Sequence, residues 1–121
     1  MGLSIVHWND PAVRYRRTQS ADDLLTVLKE RLRNGDSVAK LERLLGPGEL
    51  VDFTRIPGYR GLIERNCRQD PATCPDGIKE GDKFLSYRGG NTILTVQARD
   101  GRLVNYDPSG WPSKLGGALG L

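Results

Sequence analysis

Glycine and proline are divided unequally along this chain: 13 of 15 glycines and six of seven prolines follow Leu45. Both weaken helices, glycine through backbone entropy and proline through its missing donor and its clash with the preceding turn. Helices are therefore expected before residue 45, with strands, turns and loops after it. A chain of 121 residues has material for one core. The expected class is α+β, with two N-terminal helices packed on one face of a three- or four-stranded antiparallel meander sheet.

The helical half has clear boundaries. Ser20-Ala-Asp-Asp23 supplies a hydroxyl cap and two carboxylates for the positive first turn. Leu24, Leu25, Leu28 and Leu32 then recur at helical spacing until Asn34-Gly35. Asp36 or Ser37 caps a second helix carrying Val38, Leu41, Leu44 and Leu45, which Gly46-Pro47-Gly48 ends. Residues 1–19 read as an arm, with an apolar alternation from Leu3 to Trp8 and a turn at Asn9-Asp10-Pro11.

Residues 20–108 form the expected domain. Its strands fall at Glu49–Phe53, Asp82–Tyr87, Thr92–Arg99 and Arg102–Tyr106, the last two joined by Asp100-Gly101, a strong hairpin signal. Alternation along the third strand sets Leu94, Val96 and Ala98 on one face and Thr95 and Gln97 on the other. A helix pair on one side predicts a buried face and a wet one. The long loop 54–80 carries three prolines, three glycines and both cysteines, with a helical turn or two expected over Tyr59–Arg65. Its length marks it for function. Residues 109–121 read as a flexible Gly-rich tail, anchored at most through Trp111.

Composition narrows the function classes. Eighteen basic and fifteen acidic residues give a net charge of +3, spread evenly between the halves, which argues against a nucleic-acid tract. The one basic cluster is Arg14-Tyr15-Arg16-Arg17. No run approaches a membrane span, and no export signal opens the chain. The expectation is a cytoplasmic protein, the alternative an exported one whose signal segment is removed. Cys67 and Cys74 are spaced too widely for a Cys-x-x-Cys site, and His7 is the only histidine. They read as a local disulfide in an oxidising compartment or as two free thiols in a reducing one. Asp22-Asp23 and the Glu80/Asp82 pair are accounted for by a helix cap and a loop end. No catalytic residue, metal ligand or cofactor site is expected.

Gly35-Asp-Ser37-Val-Ala-Lys-Leu41-Glu-Arg-Leu44-Leu45-Gly46, followed by a meander ending Val96-Gln-Ala-Arg-Asp100-Gly101-Arg-Leu103-Val104, resembles the BamE/SmpA/OmlA-like domains. It is similar also to the repeats of beta-lactamase inhibitory protein. The likeness covers roughly residues 24–53 and 82–107. It implies a small binding module that scaffolds an assembly or docks through an exposed sheet face, without catalysis. The expected function is accordingly a protein-interaction module, with Tyr59, Arg60, Arg65, Thr95, Gln97 and Trp111 as candidate contact residues. The alternative is a nucleic-acid-associated or regulatory protein using Arg14, Arg16, Arg17, Arg55, Arg60, Arg65 and Arg68.

Overall fold

Asp10 starts the first helix rather than a turn. Its carboxylate accepts a 2.8 Å hydrogen bond from the Ala12 N–H, and Pro11 takes a first-turn position where its missing donor costs nothing. This places α1 at Pro11–Thr18 in the computed structural model, which describes residues 9–52, 58–109 and 111, the side chains of Tyr59 and Thr73 excepted. Residues 11–18 of the arm expected over 1–19 are thus a helix packed on the domain. Tyr15 is buried and donates through its hydroxyl to the Arg88 carbonyl at 2.6 Å. The Leu3–Trp8 alternation and His7 lie outside the described residues.

Helix α2 (Ala21–Glu30) begins with Ser20 Oγ accepting from the Asp23 N–H, and α3 (Val38–Leu45) with Ser37 Oγ accepting from the Lys40 N–H. Leu24, Val27 and Leu28 of α2, with Leu41 and Leu45 of α3, share one core with Tyr15 and the sheet residues Tyr87, Leu94, Val96 and Leu103. The helical layer thus holds three helices instead of two, α1 lying against both others. Arg16 ties α1 to the end of α3 by donating to the carbonyls of Arg43 (3.1 Å) and Leu44 (2.7 Å). Those carbonyls lack helical partners and form the negative end of α3.

The sheet is four-stranded and antiparallel, in the order β1 (Glu49–Leu50), β2 (Lys83–Gly89), β3 (Thr92–Arg99), β4 (Arg102–Val104). Asp100 and Gly101 take φ of 53° and 78°, the pair of positive values that a tight hairpin of this hand requires. β4 is shorter than expected because Asn105 turns the chain at φ 52°. β1 also falls short of residue 53, which lies outside the described residues, although the Val51 N–H still reaches the Phe84 carbonyl at 2.9 Å. The outer edge of β4 is paired with the chain before α3. Gly35 and Val38 donate to the carbonyls of Leu103 and Gly101, and Leu103 donates to that of Asp36, at 2.8–2.9 Å.

The segment expected as a loop over 54–80 contains α4 (Tyr59–Gln69) and a 3₁₀ turn (Pro71–Thr73), with Cys67 and Cys74 joined in a disulfide. Ile63 and Cys67, one helical turn apart, belong to a second cluster with Phe84, Val51 and Ile78. Phe84 lies opposite Gln97 in register, on the sheet face that the helical layer does not cover. The wet face expected there is therefore covered in part. Thr95 is 4% exposed, its hydroxyl 3.3 Å from that of Ser86.

A polar network fastens the end of this segment. Asp82, whose side chain is 1% exposed, accepts from Arg99 Nε at 2.8 Å, from Gln97 Nε2 at 2.8 Å and from the Lys79 N–H at 2.8 Å. Burial alone would raise its pKa; the Arg99 guanidinium, the Lys79 N–H and the Gln97 amide outweigh that and hold it at about 2. Asn105 Nδ2 adds bonds to the Gly77 carbonyl and to Gln97 Oε1.

Candidate functional site

Leu50 is the one large apolar side chain left exposed among the described residues, at 58%. It sits on the edge strand β1 opposite Leu85, and Leu85 opposite Val96, which puts all three on the face that carries the helical core. The helices leave this corner of the sheet partly uncovered. A groove of about 500 Å³ remains, its floor made by Leu50, Leu85 and Ala98 and its wall by Val38 and Glu42 of α3. Lys83 and the Asp100-Gly101 turn bound it. The volume falls within the range of ordinary ligand clefts.

Each boundary follows from local sequence. Gly46-Pro47-Gly48 ends α3 and lets the chain pass directly over the Tyr87 ring, where a Cβ on Gly48 would come within 2.9 Å of the ring. The Tyr87 hydroxyl donates to the Gly46 carbonyl at 2.9 Å and holds this crossing. Burial first, and then the negative charge of Glu42, push the Tyr87 hydroxyl's pKa well up, so it stays a donor. Val51 bonds to Phe84, and antiparallel bonding alternates along the strand, so the N–H and C=O of Leu50 face away from β2.

Among the six contact residues expected from sequence, two are on accessible surface. Arg60 forms a 3.0 Å ion pair with Glu64, and Arg65 is exposed on the same helix. The Tyr59 side chain lies outside the described residues. Thr95 is buried, and Gln97 is committed to Asp82, Gly77 and Asn105. Trp111 is buried edge-on against Tyr106, ring centroids 5.6 Å apart, and Tyr106 donates in turn to the Leu28 carbonyl. These three serve the packing of the domain. The remaining tail lies outside the described residues.

The arginines of the nucleic-acid alternative are likewise engaged or dispersed. Arg14 pairs with Asp23 at 3.0 Å, Arg16 caps α3, and Arg65 and Arg68 are exposed on α4, on the other side of the sheet. Arg55 lies outside the described residues. Beside the disulfide a shallow hollow of about 710 Å³ is lined by Glu64, Arg68, Pro71 and Ile78. No group of three His, Cys, Asp or Glu side chains is gathered among the described residues, and no described helix is long and apolar enough to cross a membrane.

The groove residues Val38, Glu42, Leu50, Lys83 and Leu85 escape sequence reasoning. Alternation assigns Leu50 and Leu85 to strands, but only the register shows that they meet at a corner that α3 covers incompletely. No protein-family model, curated protein or solved structure matches the chain.

Proposed function

We propose that this chain is a non-enzymatic protein-interaction module that takes its partner in the groove between α3 and the β1 corner of the sheet. The observation that carries this reading is Leu50, an exposed leucine at the mouth of a groove floored by Leu85 and Ala98 and rimmed by charged side chains. Exposed apolar surface framed by charged side chains is a mark of interaction sites. A partner would bury Leu50 and the open part of Leu85 while the polar rim set its orientation. The BamE-like resemblance points to the same class of function, with the contact moved from the sheet face that α4 partly covers to the corner the helices leave open.

Replacing Leu50 by Arg tests this directly. The side chain is exposed, so thermal stability should change by less than about 0.5 kcal/mol, while recovery of partners from the native source should fall at least several-fold. Arg65→Glu on α4 should leave recovery unchanged. Loss with Arg65→Glu and retention with Leu50→Arg would move the site to α4.

The Cys67–Cys74 bond supports an oxidising working compartment, the second of the two expected locations. Alkylation of the native protein before reduction, read by mass spectrometry, should find neither thiol free; two alkylated cysteines would place it in a reducing compartment.

A further inference from the structure

Building on the groove as the docking site, we infer that the partner contributes an extended segment carrying Lys or Arg, which pairs with the open edge of β1 as an added strand. Three features select this occupant. The N–H and C=O of Leu50 point outward from β2, and among the described residues no strand pairs with β1 on that side. β4, the other edge, is already paired with the chain before α3. An added strand also sets alternate side chains on the face of Leu50 and Leu85, beneath the exposed flank of α3.

The sign of the partner's charge comes from the rim. Glu42 and Asp100 bound the groove, and Lys83 is the single cation among the lining residues. All three are exposed, and none forms an ion pair within the described residues. The residues that line the groove therefore present one more negative than positive charge around the Leu50, Leu85 and Ala98 floor. A segment alternating small apolar residues with Lys or Arg complements both, whereas an acidic segment meets like charge at each end.

Selection from a displayed library of short random peptides, followed by binding of the synthetic winners to the full chain, tests this. Winners should alternate apolar with basic residues, slow hydrogen exchange at the Leu50 amide, and lose binding with Leu50→Arg. The double variant Glu42→Gln, Asp100→Asn keeps the turn, since Asn tolerates positive φ, and should weaken them roughly tenfold at low salt. Winners that need Leu50 but are acidic, or that bind as helices and leave its amide unprotected, would overturn the added-strand inference and leave the groove standing. Dimerisation of the chain through Leu50 would likewise overturn it and name a second copy as the occupant. Winners indifferent to Leu50→Arg, or no winners, would count against the groove itself.

Discussion

Asp82 shows how much one carboxylate holds in place. It joins the end of the 58–82 segment to β3 through Arg99, Gln97 and the Lys79 amide. Its folded pKa of about 2 lies below the unfolded value near 3.9. The stabilisation is therefore complete above about pH 5 and is lost as pH falls toward 2. Asp82→Asn should cost about 2 kcal/mol at pH 7, the scale of a hydrogen-bonded charge, and flatten the acid limb of urea-unfolding curves; an unchanged limb would assign the acid sensitivity elsewhere. Two glycines give opposite expectations. A Cβ on Gly89 would stand 2.8 Å from the Ala21 backbone, so Gly89→Ala should destabilise by about 1–3 kcal/mol as α2 is pushed off β2. Gly61 lies within α4 with nothing within 4 Å of the added carbon, so Gly61→Ala should stabilise by about 0.5–1 kcal/mol. Thermal melts of the two variants read both signs.

Among the elements, α2 and α3 were legible in the sequence because cap and periodicity agree: Ser20 and Ser37 open them, and leucines at helical spacing mark their buried sides. α1 was not, although its start is written in Asp10-Pro11. The same pair signals a turn, and an Ala12/Tyr15 stripe among three arginines is too narrow to decide between the two. α4 was half legible: it opens at Gly58 without a side-chain cap, and its two apolar anchors, Ile63 and Cys67, gain meaning only against Phe84 and the disulfide. That cluster is small, so the covalent link carries weight. The double variant Cys67→Ser, Cys74→Ser frees a loop of eight residues and should lower stability by about 2.5 kcal/mol on the loop-entropy relation. Hydrogen exchange should quicken across α4 and leave α2 and β3 slow; uniform quickening would mean that α4 and the main core unfold together.

For the whole molecule, the Gly/Pro partition and the Asp100-Gly101 hairpin were enough to read an α+β domain with an antiparallel sheet. The layering was harder to read, since alternation shows which residues share a face and not how far a covering element extends. Thr95 and Gln97 were assigned to solvent on that ground, yet one is buried and the other held in the Asp82 network. The converse error hid the groove, where Leu50 looks like an ordinary core residue until the register sets it at the margin of the face that α3 covers. Three helices cover one face and α4 part of the other, and the β1 corner is where the one exposed large apolar side chain among the described residues, Leu50, stays open. A photo-reactive amino acid placed at position 50, and separately at position 65 on α4, measures directly whether that corner is where the protein meets its partner. Irradiation in the native source should give a discrete crosslinked species from position 50 and none from position 65. The reverse pattern, or none from either position, would contradict the account.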